Sequence, residues 1–197
     1  MPTPQEYREL ILDAAVECLT ERPVGARFIV HIAQKAGVSK PTVYKYGGDQ
    51  QQILHAVLAR EVDRYLQALR PEFAHRLPLA EHFTTLVVFS VGYLRHHRLL
   101  QAMLTNDPGT VTKALTIDLE PLLKAGLPAS VPLLRKALGT DPNQRIPTET
   151  VMEWGIRLSL SMALTASPLV DLEDPDAVRA HVHGLFTIGA TSTSSAR

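Results

Sequence analysis

Ser39, Lys40, Thr42, Tyr44, Lys45 and Tyr46 crowd one short stretch of the chain, SKPTVYKY. Hydroxyl and ammonium groups at this density suit a polyanion. Serine and threonine donate to phosphate oxygens or reach bases through water, and lysine neutralises phosphate. Lys45 can alternatively reach a guanine edge, and Tyr46 can face either the partner or the core. The surrounding charge is one-sided. Between Glu21 and Asp49 lie Arg22, Arg27, Lys35, Lys40 and Lys45 with no acidic residue, although the whole chain of 197 residues has a formal net charge of zero. For a nucleic-acid partner the distribution of charge matters more than its total. An ordinary solvated lysine accounts for Lys35 taken alone.

Other chemistries lack their residues. His96 and His97 are adjacent and His181 and His183 are two apart. Neither pair shares a helical face at the i, i+4 spacing of a helical zinc site, so no metal and no cofactor is expected. Phosphate-binding glycine loops, nucleophile elbows and paired-carboxylate signatures do not occur, and the reading is not an enzyme. The single cysteine, Cys18, excludes an internal disulfide framework and reads as a small buried hydrophobe. No secretory signal is visible, and the longest apolar-rich run, Phe83 to Leu94, is too short and interrupted to span a bilayer. A soluble cytoplasmic protein without a membrane partner is expected.

The polar cluster needs a scaffold, and the flanking residues supply one. Ile29, Ile32, Ala33 and Ala36 recur at helical spacing. Gly37 follows, where a glycine ends a helix in the left-handed conformation, and Val38 fills the angle of the turn. Ser39 is a good N-cap and Pro41 is tolerated in a first turn, opening a second short helix from Lys40 to Tyr46 with Val43 toward the core. Two short helices joined by a tight glycine turn make a helix-turn-helix, whose second helix lies in the major groove. Ahead of it, Tyr7, Leu10, Ile11, Ala14, Ala15, Cys18 and Leu19 form the apolar face of a supporting helix from Gln5 to Glu21, after a frayed Met1 to Pro4.

The segment I-A-x-x-A-G-V-S-x-x-T-x-Y, Ile32 to Tyr44, together with the preceding L-I-L-D-A-A-x-x-x-L of Leu10 to Leu19, resembles the tetracycline-repressor (TetR) family of transcription regulators. The resemblance implies DNA contacts at Thr42, Tyr44 and Lys45. It also implies a threonine or serine cap on the second helix, where this chain has Arg27 and Phe28; arginine can still reach a phosphate. After Tyr46 the family usually shows an aromatic residue and then a lysine opening the next helix. Here Gly47 and Gln50 stand in those places, so looser packing behind the reading helix is expected. Asp49 and Gln52 still form a capping-box pair.

Downstream, the pattern is helical throughout, and the fold class is all-α. A long helix from about Ile53 to Leu69 ends at Pro71; in the resembled family it links head to body. Leu79 to His97 and Leu99 to Leu104 follow, then a turn over Asn106 to Gly109. Val111 to Lys124 reads as one helix kinked at Pro121, and Leu127 to Leu138 as another, starting late because of Pro128 and Pro132. After a loop from Gly139 to Pro147 come helices at Thr148 to Ser167 and, capped by Asp174, Pro175 to about Gly189. The division expected is a helix-turn-helix domain over residues 1–48, an effector-binding and dimerisation domain over 49–190, and a disordered tail over 191–197.

A single reading helix covers few base pairs, so useful specificity needs two heads on a roughly palindromic site, which predicts a homodimer. The resemblance places its interface on the last two helices. Gly155, Ser159 and Ala163 would admit a neighbouring helix, beside the stripe Val151, Trp154, Leu158 and Met162, with Val178, Val182, Leu185 and Phe186 from the final helix; the same residues can instead close the subunit core. The resemblance also implies a small-molecule effector. Phe83, Phe89, Tyr93, His97, Met103, Trp154 and Met162 are its expected pocket, suited to an apolar or aromatic compound, with ordinary core packing as the competing explanation. The function expected is a repressor that binds operator DNA as a dimer and is released by effector. The alternative is a helical ligand-binding or interaction protein whose head no longer binds DNA.

Overall fold

The computed structural model describes residues 2–25, 27–139 and 145–191, without the side chains of 188–191. The tail and most of the loop following Gly139 lie outside the described residues. Among those described there are ten α-helices and no strand: α1 Pro4–Glu21, α2 Phe28–Lys35, α3 Lys40–Tyr46, α4 Gln50–Leu69, α5 Leu79–His96, α6 Arg98–Asn106, α7 Pro108–Leu115, α8 Glu120–Leu138, α9 Thr148–Leu164 and α10 Pro175–Thr191. A short 3-10 turn, Arg70–Phe73, follows α4. Among the described residues, no helix is long and apolar enough to cross a membrane.

Local chemistry fixes most helix starts. The N-terminus is not frayed at Thr3: its hydroxyl accepts the Glu6 N–H at 3.2 Å, while the Glu6 carboxylate accepts the Thr3 N–H at 2.6 Å. This T-x-x-E capping box ahead of an apolar run was the available signal. The backbone N–H of Thr3 and its hydroxyl hold the Glu6 carboxyl below the usual glutamate range. Ser39 caps α3, Asp107 caps α7, and the Asp49–Gln52 box opens α4 with bonds of 2.8 and 2.9 Å.

The chain forms two compact units, Met1–Arg64 with His97–Ile117, and Tyr65–His96 with the chain from Asp118 onward. The first unit therefore extends well past residue 48. Its core joins Ile11, Ala15, Cys18, Ile32, Val43 and Ile53, all fully buried, and Leu99 of α6 completes it with Met103 packed alongside. Burial pushes the Cys18 thiol upward, as for an inert core cysteine. Asn106, at the end of α6, donates to the Thr20 carbonyl of α1 at 3.0 Å.

In the second unit, α9 and α10 pack on α5, and α8 packs on α9. Leu69, Val87, Leu134 and Val182 lie at its centre. The α8 region differs from the sequence reading. One helix runs from Glu120 to Leu138 straight through Pro128 and Pro132, and Pro121 sits in its first turn rather than at a kink. Both interior prolines are exposed, while Leu123, Val131, Leu134 and Ala137 keep the other face buried. The prolines leave the carbonyls of Lys124 and Pro128 without helical donors.

Candidate nucleic-acid interface

The polar stretch becomes α3, held from behind by α1 and α2. Gly37 adopts φ 64° in the turn, the left-handed conformation expected of it. Val43 is fully buried and fixes which face of α3 turns inward. The opposite face presents Lys40, Tyr44 and Lys45 to solvent, with Tyr44 55% exposed. Thr42 is half-buried, its hydroxyl 2.8 Å from that of Ser39, and Ser39 accepts the Thr42 N–H at 3.2 Å. The serine hydroxyl is thus occupied as the cap, and the threonine hydroxyl is positioned by it.

Tyr46 turns away from the reading face. Its ring stacks on Tyr7 of α1 at 4.8 Å between centroids and 9° between planes, and the Lys45 ammonium lies 5.0 Å above it. The stack fastens the end of α3 to α1 and keeps a cation over an aromatic face. Nothing in the spacing of Tyr7 marked it out from the other apolar positions of its helix.

Gly47 reverses the expectation of looser packing. A Cβ there would stand 2.8 Å from Ile11 Cγ2, 3.0 Å from the Val43 carbonyl oxygen and 3.3 Å from Ile53 Cδ1. Absence of a side chain lets α1 and α4 close directly on the end of α3. The following residue, Gly48, has φ 89°.

The basic residues of this segment divide by role. Lys35 pairs with Glu21 at 2.6 Å and Glu17 at 3.3 Å, tying α2 to α1. The hydrogen bond to Glu21 raises the lysine's pKa and lowers the glutamate's. Arg22 lies 3.5 Å from Glu21 and 3.4 Å from the His31 ring. Arg27 is exposed at the N-cap position of α2 and makes no side-chain cap bond. Lys35 is therefore structural, while Arg22, Arg27, Lys40 and Lys45 are exposed to solvent.

The residues expected to form an effector pocket are divided between the two units. Phe89 and Tyr93 join Tyr65 in a ring cluster of the second unit, and Phe83 packs edge-on to Phe186 at 5.6 Å. Met162 is half-buried on α9, but Trp154 is 52% exposed on that helix. His97 and Met103 belong to the first unit, one capping α6 and the other packed on the core. A shallow groove of about 260 Å³ does occur in the second unit, lined by Leu127, Pro128, Val131, Pro132, Arg135 and Glu149, none of them in the expected set.

The expected interface residues also divide. Val151, Gly155, Ser159, Val178 and Val182 are buried within the subunit. The helix admitted by the small-residue stripe is α5 of the same chain: a Cβ on Gly155 would collide with the Leu86 side chain. Leu185 is 47% exposed, while Leu158, Met162 and Phe186 are half-buried. Of the expected interface residues, these four and Trp154 keep part of their surface exposed.

Residues 11–57 match the family model described as bacterial regulatory proteins, tetR family. No curated protein sequence matches the chain. Three solved structures share its fold along nearly its whole length. The TetR family repressor AlkX from Dietzia sp. strain DQ12-45-1b, implicated in biodegradation of n-alkanes, is 18% identical, with 94% of this chain and 95% of that one covered and a TM-score of 0.58. A TetR-like transcriptional regulator from Rhodococcus sp. RHA1 is 20% identical, with 97% and 98% covered and a TM-score of 0.54. The fatty acid degradation regulator FadR from Bacillus halodurans is 20% identical, with 90% and 96% covered and a TM-score of 0.57. The matched segment spans α1 to α3 and the first part of α4, the elements that hold the polar face of α3, and the helical body continues as in these regulators. Over residues 11–57 the chain is thus similar to the tetR family of bacterial regulatory proteins, and over nearly its whole length it shares the fold of these three structures.

Proposed function

We propose that the protein is a transcription repressor that binds a palindromic operator as a homodimer and is released by a small apolar or aromatic effector. The observation that carries the DNA-binding reading is α3 itself. Its outward face holds Lys40, Tyr44 and Lys45, its first turn holds the Ser39–Thr42 hydroxyl pair, and its rear is locked by Val43, Gly47 and the Tyr7–Tyr46 stack. A helix carried rigidly on a packed support is what base and phosphate contacts require. The dimer reading is supported by the exposed Trp154 and Leu185 on the final two helices, both of which pack on α5. The effector class is supported by the aromatic body residues and by the alkane and fatty-acid degradation named for two of the similar structures.

Fluorescence anisotropy with the DNA flanking the protein's own coding region, across a salt series, tests the reading. Lys45→Ala should weaken binding and reduce the salt slope by about one, as loss of one phosphate contact does. Lys35→Ala, which removes a contact to α1, should leave that slope unchanged. Binding no tighter than to random DNA by a folded dimer would favour the alternative, a helical ligand-binding protein whose head does not bind DNA. The absence of a cap bond at Arg27 and the glutamine at position 50 are the observations on its side.

A further inference from the structure

Val43, fully buried, and Gly47, closed on by Ile11 and Ile53, already seat the inner face of α3. The Tyr7–Tyr46 stack is additional to that seat. Both rings are only half-buried, and Tyr46 flanks the core of the first unit rather than entering it.

Adjacent residues on a helix diverge and do not face each other. Lys45 nevertheless lies with its ammonium 5.0 Å from the centre of the Tyr46 ring. The meeting depends on how that ring lies, and the ring's plane is set from another helix. Tyr7 covers it at 4.8 Å between centroids with only 9° between planes. Tyr7 in turn sits on a pinned turn. Its N–H donates to the Thr3 carbonyl at 3.0 Å, and the Thr3–Glu6 box closes the same turn. A chain of contacts thus runs from the N-terminus of α1 to one ammonium on the outward side of α3.

We infer that Tyr7 is a positioning residue for DNA binding, which acts through Tyr46 to hold Lys45 ready for a phosphate. A free lysine side chain ranges over many rotamers and gives up that freedom when it meets a phosphate. An ammonium resting on a ring face has already surrendered part of it. It also keeps N–H groups turned away from the ring, and these are the donors a phosphate oxygen needs. The ring holds the cation without neutralising it, in contrast to Lys35, whose ammonium is paired with Glu17 and Glu21. Tyr7 lies outside the helix-turn-helix, and its ring carries the effect without its hydroxyl. The inference rests on the DNA-binding reading proposed above.

The test is a double-mutant cycle on the full-length protein: Tyr7→Leu, Lys45→Ala and the two combined, read by anisotropy with the flanking DNA. Leucine keeps apolar cover but cannot stack. Tyr7→Leu should weaken binding about threefold, the size of an exposed cation–π contact, and Tyr7→Phe should restore it. In the Lys45→Ala background, Tyr7→Leu should bring no further loss. NMR reads the same placement without DNA. The Lys45 ε-methylene protons should resonate upfield of those of the other lysines, shielded by the ring, and lose that shift in Tyr7→Leu. Should Tyr7→Leu not fold, Tyr46→Leu completes the cycle in its place. Equal losses with and without Lys45, or a phenylalanine that fails to restore binding, would overturn the inference. So would an ε-methylene shift that is absent from the wild type or survives Tyr7→Leu. A shift that follows Tyr7 in a protein binding the flanking DNA no tighter than random DNA would uphold the placement of Lys45 and remove the regulator reading.

Discussion

Gly47 shows how much a single position can reverse. The residue expected there from the resemblance is aromatic, yet Ile11, Val43 and Ile53 already occupy the space a side chain would need. Restoring an aromatic by Gly47→Phe should destabilise the protein by roughly 3 kcal/mol or more, and Gly47→Ala by about 1–3 kcal/mol, through overpacking. Urea unfolding measures both; an unchanged midpoint for Gly47→Phe would mean that the space behind α3 yields. His82 makes a second prediction at this scale. Its ring is fully buried, Nε2 accepts the Leu77 N–H at 3.2 Å, and Nδ1 has no hydrogen-bond partner among the described residues. Burial pushes its pKa below the ordinary 6.5. In acid the unfolded chain therefore takes a proton that the folded one resists, so stability is held above pH 6.5 and lost as the pH falls below it. Thermal melts from pH 7.5 to pH 5 should show that loss, and His82→Gln should flatten it. Identical slopes in the two proteins would place the acid sensitivity elsewhere.

At the scale of the element, the helix-turn-helix was legible because its signals are local. Ser39 as cap, Gly37 as terminator and the alternation of Ile29, Ile32, Ala33 and Ala36 each act within a few residues, and α2 and α3 form where they point. The α7–α8 region was not legible, because a proline reads as a breaker until one knows which face it occupies. Pro128 and Pro132 lie one helical turn apart on the exposed side, so burial of the opposite face outweighs two missing bonds. Pro132→Ala restores one of those bonds and should stabilise the protein by about 1–3 kcal/mol. A lower melting temperature would show instead that the proline stiffens its groove. The small-residue stripe of α9 marked close approach correctly but could not name the neighbour; α5 of the same chain fills that place. Aromatic composition likewise could not say that His97 and Met103 serve one unit while Phe89 and Tyr93 serve the other. Such partners are set by tertiary packing, which residue types along one helix do not encode.

For the whole molecule, the segment recognised by sequence and the unit that folds are different objects. The family match ends at residue 57, whereas the compact unit that contains it also needs His97–Ile117. A fragment of residues 1–64 lacks Leu99, Met103 and the Asn106 bond to Thr20. It should therefore melt without a cooperative transition in circular dichroism, while the full chain unfolds sharply. A cooperative melt of the fragment would show that α1 to α4 suffice.

The same discontinuity has a consequence during synthesis. A ribosome adding about 5–20 residues per second must complete α5 and α6 after α4 has emerged, so the N-terminal helices wait several seconds for their last core contacts. Through that interval the nascent α1 to α4 expose the patch that Leu99 and Met103 later cover, and it is then that chaperones or premature contacts compete for this chain.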